Sequence, residues 1–269
     1  MQTTTYQALK INKNTQTCIQ DVLVVEAALQ ININNEPYTV VMRTPNNDKE
    51  LIRGLLFAED IYKSDETLIF NIEKEDHEIS TIINVSISDD LLGKGYLNKR
   101  TLLSVSSCGI CGKRELKDIK VDGEKLTPTN VFPSNLMQEM LTTMNSYQDT
   151  FKNSGGSHAA AIFNKKHQFL NIREDIGRHN AVDKVIGDLL IKGSLNQANF
   201  LVVSGRVSYE IVSKAFIAKI PIIIAVSACS SLAVDFAKEF GICLIGFTRE
   251  QKMTIYSNPS FIKAQIDYV

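Results

Sequence analysis

The chain has 269 residues and a mass of 30.0 kDa, enough for a full hydrophobic core in one large domain or two smaller ones. Its formal net charge is -1, so no global field favours nucleic acid or an acidic membrane surface, and any anion site has to be built locally. The opening MQTTTYQALKINKN lacks the cationic-then-apolar pattern of a signal peptide, and no segment reaches the roughly 18 apolar residues of a membrane span. The expectation is a cytoplasmic protein. The 5 cysteines, an odd number, argue for reduced thiols and against a disulfide framework.

In chain order, residues 1–20 are polar and read as a loose arm. Apolar residues then alternate through Val22, Val24, Ala28, Ile31 and Ile33, break at Asn34-Asn35-Glu36-Pro37 and resume at Tyr38, which is a hairpin signature. Asp48 sits as an N-cap ahead of Leu51, Ile52, Leu55 and Leu56 at helical spacing, with the helix ending near Ile61. Strands are expected over 67–72 and 78–87. Residues 21–130 thus form a smaller, mostly β domain, closing with an apolar run at 102–105 and a loop that carries Cys108 and Cys111.

The second part, 131–269, has a different pattern. Ser134 can cap a helix carrying Leu136, Met137, Met140, Leu141, Met144 and Tyr147, and the connection after it ends at Ser154-Gly155-Gly156-Ser157. Strands follow at 159–163 and 169–172, then a helix whose apolar face is Val182, Val185, Ile186, Leu189 and Leu190. From there strand 200–203, helix 208–219, strand 222–226, helix 230–240 and strand 242–247 alternate. Short apolar strands between amphipathic helices predict an α/β domain with a mainly parallel sheet buried on both faces.

Loops leaving the carboxyl ends of parallel strands gather on one edge, where ligands usually sit. Those loops hold Ser204-Gly205-Arg206, Ser227-Ala228-Cys229-Ser230-Ser231 and Phe247-Thr248-Arg249. Hydroxyls and helix N-terminal amides suit phosphate oxygens, arginine adds a bidentate contact, and Phe247 can stack on a base. The set points to a nucleotide-like anion, although serine and glycine are also ordinary turn and cap residues. In Arg173-Glu174-Asp175-Ile176-Gly177-Arg178-His179-Asn180, Asp175 or Asn180 can cap the helix that follows. His158 and His179 fit proton transfer or a structural role equally, whereas His77 and His167 read as solvated.

Ser106-Ser107-Cys108-Gly109-Ile110-Cys111-Gly112-Lys113-Arg114 sets two thiols three apart, each followed by glycine. Five randomly placed cysteines give such a pair in roughly 7 per cent of chains of this length. Structural zinc needs four ligands, and Cys18, Cys229 and Cys243 supply no second pair. With no Trp, the W-C-x-x-C thioredoxin form is excluded. Redox exchange and sulfur transfer stay open, since Lys113 and Arg114 favour the thiolate and Gly109 and Gly112 give it reach.

Four blocks, S-S-C-G-I-C-G at 106–112, S-G-G-S-H-A-A at 154–160, R-E-D-I-G-R-H-N-A-V-D-K at 173–184 and S-G-R-V-S-Y-E at 204–210, together resemble the formate dehydrogenase accessory sulfurtransferase family, from about residue 20 onward. That resemblance implies a cytoplasmic, homodimeric sulfur carrier. It takes sulfur from a cysteine desulfurase as a Cys108 persulfide, with Cys111 as its partner. It passes the sulfur to the bis(molybdopterin guanine dinucleotide) form of the molybdenum cofactor, bound as substrate, before insertion into formate dehydrogenase. GDP would mimic the nucleotide, and no metal of its own is implied. The cofactor segment corresponds to Phe247, Thr248, Arg249, Glu250, Gln251 and Lys252, with Ser204 and Arg206 placed for guanine nucleotide contacts. Glu250 and Gln251 depart from the expected glycine-rich, basic pattern. A non-catalytic cofactor chaperone and a zinc-binding protein are the alternatives.

The resemblance also implies a cytidine deaminase-like αβα layered fold for the C-terminal domain. Deamination is not expected, because the helix starts read His179-Asn180-Ala181 and Ser204-Gly205-Arg206-Val207, without the H-x-E and P-C-x-x-C of zinc deaminases.

Overall fold

The computed structural model describes residues 1–76, 80–97, 123–127, 130–250 and 252–263. The segment expected as a loose arm is an antiparallel ribbon, in which β1 (Thr3–Asn12) pairs along its whole length with β2 (Thr15–Val24). Its threonines, Tyr6, Ile11 and Ile19 favour strand over coil even though most of them face water. A lone two-stranded ribbon is marginal in water. Here its base is tied down, with the Thr150 hydroxyl donating to Gln2 Oε1 at 3.0 Å and the Val25 amide to the Gln2 carbonyl at 2.9 Å.

The next sheet contains β3 (Ala27–Ile33), β4 (Glu36–Arg43), β5 (Ile69–Asp76) and β6 (Ser80–Ser86) in the order β4-β3-β6-β5, with β3 and β6 parallel. The β3–β4 hairpin turns at Asn34 and Asn35, both at positive φ (51° and 68°), which asparagine tolerates. The Asn34 side chain also clamps Ile87, accepting from its amide at 2.8 Å and donating to its carbonyl at 2.7 Å. Helix α1 (Asp48–Ala58) buries Leu51, Ile52, Leu55 and Leu56 on this sheet, and a short α2 (Lys94–Leu97) follows β6. Asp48 is not its cap: Asn47 holds that position in the left-handed region, and the Asp48 carboxylate instead takes both Nε and Nη2 of buried Arg43 at 2.9 Å.

After β7 (Phe132–Pro133) come α3 (Asn135–Ser146), α4 (Asp149–Ser154), β8 (His158–Asn164), β9 (Phe169–Asp175), α5 (Arg178–Ile191), β10 (Ala198–Val203), α6 (Tyr209–Ile217), β11 (Ile222–Ala225), α7 (Ser231–Phe240), β12 (Cys243–Arg249), β13 (Lys252–Ser257) and β14 (Ile262–Lys263). Six of these strands form one sheet in the order β13-β12-β11-β10-β8-β9. Only β10–β11 and β11–β12 pair in parallel; β8–β9, β8–β10 and β12–β13 are antiparallel, so the sheet is mixed rather than mainly parallel. Connection length decides it. Short turns allow only hairpins at β8–β9 and β12–β13, whereas α6 and α7 supply the crossovers that parallel neighbours need. Helices α5, α6 and α7 cover one face through Val182, Val185, Ile211, Val212, Ala233 and Ala237, and α3 covers the other through Met137, Met140, Leu141 and Met144. His167 is not simply solvated, for its ring meets Phe132 and Phe200 edge-on at centroid distances of 5.4 and 5.9 Å.

Helix α5 joins the two main sheets. One side packs on the six-stranded sheet and the other on α1, so Asp183, Lys184 and Asp188 are buried along with the apolar face. Two glycines permit the approach: a Cβ on Gly54 would lie 2.0 Å from the Asp183 carbonyl oxygen, and one on Gly187 would lie 1.9 Å from that of Glu50. Asp175 and Asn180, expected as caps, serve this seam instead. Asp175 Oδ2 accepts from the Thr44 amide at 3.1 Å and pairs with Lys184 Nζ at 2.7 Å, while Lys184 also donates to the Thr44 carbonyl at 2.7 Å. Asp175 Oδ1 accepts from the Gly177 amide and from Asn180 Nδ2, whose other donation goes to the Met42 carbonyl. The N-cap of α5 is Gly177, with no side-chain cap.

Candidate functional site at the strand-end edge

The carboxyl ends of β10 and β11, the start of β8 and the end of β9 lie along one edge, because Val203 pairs with both Ala160 and Ala225 and His158 pairs with Asp175. The loops there are pinned to one another. Val226 donates to the Val203 carbonyl, Val207 to Ala228, Ser230 to Val207, and Phe247 to Ser227, all at 3.0–3.1 Å. The edge is therefore a preformed shelf, which lowers the ordering entropy a ligand has to offset.

Ser204 and Arg206 stand on this shelf as expected. Ser204 bonds Ala159 twice, its Oγ accepting from the Ala159 amide at 2.9 Å and its own amide donating to the Ala159 carbonyl at 3.0 Å. The hydroxyl proton remains available to an oxygen above it. Arg206 is exposed. Between them Gly205 is buried, and a Cβ there would lie 3.2 Å from His158 Nδ1 and 3.3 Å from Arg178 Cβ, so this glycine lets both side chains close in. Burial, then the fields of Arg178 and Arg206, push the His158 pKa below its ordinary value, against an upward pull from Asp175. His158 is thus neutral near pH 7 in a cationic corner suited to an anion.

The 247–252 segment differs from the expected loop. Phe247, Thr248 and Arg249 lie within β12, where the pairing with β13 is irregular between Gly246 and Arg249, and Glu250 occupies the turn at φ 52°. Phe247 is itself at φ 52° and 42% exposed, held by its amide bond to Ser227, so its ring is presented to solvent beside the shelf. A non-glycine residue at positive φ is strained, and such strain concentrates at ligand sites. Thr248 is buried, and its Oγ1 has no hydrogen-bond partner among the described residues; buried Arg178 Nε is likewise unpaired there. Arg249, Glu250 and Lys252 are exposed. Cys108, Cys111 and Gln251 lie outside the described residues.

Of the remaining cysteines, Cys18 is exposed on the ribbon. Burial raises the Cys229 thiol to about 11 and that of Cys243 to about 12, so neither supplies a thiolate near neutrality. Among the described residues no group of three or more His, Cys, Asp and Glu side chains is placed to hold a metal, and no helix is long and apolar enough to cross a membrane.

Sequence reasoning did not single out Arg178, although it carried a signal as a cation inside a helix start at the chosen edge.

The family model for the FdhD/NarQ family matches residues 24–263. This chain belongs to the FdhD/NarQ family. It is 37% identical over 254 residues to a protein of Sulfolobus acidocaldarius named sulfur carrier protein FdhD, covering 94% of this chain and 96% of that one. Proteins of the same name from Streptomyces avermitilis and Saccharolobus solfataricus are 37% and 39% identical, over 88% and 83% of this chain and 87% and 82% of theirs. The fold is shared with a solved structure of a protein described as a formate dehydrogenase accessory protein from Desulfotalea psychrophila, at a TM-score of 0.74 and 19% identity, covering 98% of this FdhD/NarQ chain and all of that one.

Proposed function

We propose that this FdhD/NarQ chain is a sulfur carrier for formate dehydrogenase maturation, acting as a sulfurtransferase on the molybdenum cofactor. The observation that carries the reading is the match to sulfur carrier FdhD proteins over nearly the whole of both chains, in a sequence that contains the Cys108-Gly109-Ile110-Cys111 motif. The anion-suited shelf adds support by offering an acceptor site.

In the first step the Cys108 thiolate attacks the outer sulfur of a cysteine desulfurase persulfide. A new S–S bond forms on Cys108, and the donor cysteine leaves as a thiolate. In the second step the S–S bond breaks, its electron pair leaving with Cys108 as the thiolate, and the outer sulfur would become a sulfide ligand of the bis(molybdopterin guanine dinucleotide) cofactor bound as substrate, whose reduced molybdenum would supply the two electrons by passing from Mo(IV) to Mo(VI). Lys113 and Arg114 favour that thiolate by charge. On the acceptor side, Arg206 and Arg178 neutralise the diphosphates, Ser204 donates to a phosphate oxygen, and Phe247 stacks on a guanine. A phosphate close to His158 would raise its pKa, so binding takes up a proton.

The deciding experiment is intact-protein mass spectrometry after incubation with a cysteine desulfurase and cysteine. The wild type should gain one sulfur, and Cys108→Ala should gain none. Added sulfur that persists unchanged in Cys108→Ala rules out this carrier residue. Full activation of formate dehydrogenase by Cys108→Ala would indicate a cofactor chaperone without sulfur chemistry.

A further inference from the structure

Two helices start at the shelf with serine in the N-cap position, and they use it differently. At α7, Ser230 caps, its Oγ accepting from the Ala233 amide at 3.2 Å. At α6, Ser208 makes no side-chain cap bond, and its hydroxyl lies 3.0 Å from His179 Nε2. Across the same ring, His179 Nδ1 is 3.3 Å from Glu210 Oε2. With the ring proton on Nδ1 and donated to Glu210, Nε2 is left to accept the Ser208 O–H. Hydroxyl, imidazole and carboxylate then stand in the order that activates a serine.

The surroundings hold this alignment in place. Lys214 Nζ lies 3.7 Å from Glu210 Oε1 and bonds both Asp183 oxygens, at 2.6 and 2.9 Å. The carboxylates of Asp183 and Glu210 and the Lys214 ammonium thus form one polar cluster against the ring. His179, Asp183 and Lys214 are buried between α5 and α6, so packed helices hold this geometry. Ser208 itself is only half-buried, so its hydroxyl can be reached from outside.

We propose that Ser208 is an activated nucleophile and that the shelf hydrolyses small carboxylic esters, an activity separate from sulfur carriage. Ser208 Oγ bonds to the ester carbonyl carbon as its proton passes to His179 Nε2. The tetrahedral adduct then breaks its bond to the alcohol oxygen, and the departing alcohol takes that proton. Water repeats the sequence on the acyl-serine, releasing the acid and restoring Ser208. No cysteine and no oxidant take part.

The test uses the full chain. It is incubated with a fluorophosphonate probe, the adduct is mapped by peptide mass spectrometry, and p-nitrophenyl acetate turnover is followed in parallel. One phosphonyl group per chain is expected on Ser208, with none there in Ser208→Ala. Labelling should be at least tenfold slower in His179→Gln and in the isosteric Glu210→Gln, and both variants are checked for folding by circular dichroism. No adduct on folded wild type, an adduct only at another residue, or equally fast labelling in whichever of the two variants folds would overturn the proposal. Sulfur loading measured on the same samples reads the carrier function separately.

Discussion

The block 173–184 supplies two regions that obey opposite rules. In the seam opposite charges are paired: Asp175 takes the Thr44 and Gly177 amides, Asn180 and Lys184, and half-buried Arg173 pairs with Asp188 at 2.6 Å, although its Nε has no partner among the described residues. On the shelf, a few residues along, cations crowd together. Arg178 and Arg206 both bear on His158, and Arg178 Nε is buried without a partner among the described residues. The seam sets opposite charges against each other, which holds the two sheets together, whereas the shelf sets like charges side by side, which suits an anion.

The largest effect should come from the seam. Lys184→Met leaves the Asp175 carboxylate buried without its cation and should lower stability by about 3–5 kcal/mol. Urea unfolding measures it, and the double variant Asp175→Asn, Lys184→Met should recover part of the loss. A cost under about 1 kcal/mol would mean that water reaches Asp175 and that the seam is not dry.

Thiol reactivity sharpens the contrast next, because Cys229 sits on the shelf yet is chemically like the core. With its thiol raised to about 11 by burial, alkylation at pH 8 should run roughly a hundredfold slower than at an ordinary thiol. Cys243, at about 12, should wait for unfolding, and exposed Cys18 should react before either of them. Fast alkylation of Cys229, located by peptide mass, would restore it as a candidate sulfur site.

Arg206→Ala asks whether the shelf waits for a nucleotide. An exposed side chain should change stability by no more than about 0.5 kcal/mol. Losing a charge-assisted phosphate contact should weaken GDP binding about tenfold. Isothermal titration calorimetry with GDP reads the second quantity and thermal melting the first. A variant that loses stability while keeping its GDP affinity would move Arg206 from the shelf to the seam.

Much of this architecture was legible in the sequence, and what was not has physical causes. Hydrophobic spacing located α1, α3, α5, α6 and α7 and most strands to within a few residues, because each has one face against a core. The β1–β2 ribbon was illegible since nearly all of it faces water and its alternation is diluted by Thr, Gln and Lys. Strand direction at β8 was lost because apolar strands look alike whichever way they run, and β13 was not read as a strand because its partly exposed Lys-Met-Thr-Ile-Tyr-Ser run lacks an apolar core pattern. Strand ends and residue chemistry alone placed Ser204, Arg206 and Phe247 along this one edge. Asp175 and Asn180 were read as caps because local hydrogen bonding is the commoner use of such residues, whereas their partners Thr44 and Met42 lie more than a hundred positions away. Long-range polar partnership leaves no trace in spacing, and for the same reason the Ser208, His179, Glu210 alignment appears only in the fold.

The smallest effect is the most discriminating, because His158 reports the field of the shelf directly. Burial, Arg178 and Arg206 hold its folded pKa below the ordinary 6.5, so the folded state binds fewer protons than the unfolded chain in that window. The stability it contributes is fully present above pH 6.5 and is lost as pH falls through the folded pKa. An NMR titration of the imidazole should place its midpoint below 6.5 in the free protein, shifted upward in Arg206→Ala. GDP should also move it upward, since a diphosphate replaces cationic repulsion with attraction, and GDP affinity should therefore rise as pH falls through the same window. A midpoint that Arg206→Ala leaves in place would separate Arg206 from His158, and with it the idea that these side chains form one anion site. Movement with Arg206→Ala but none with GDP would keep the cationic corner and exclude a diphosphate as its occupant.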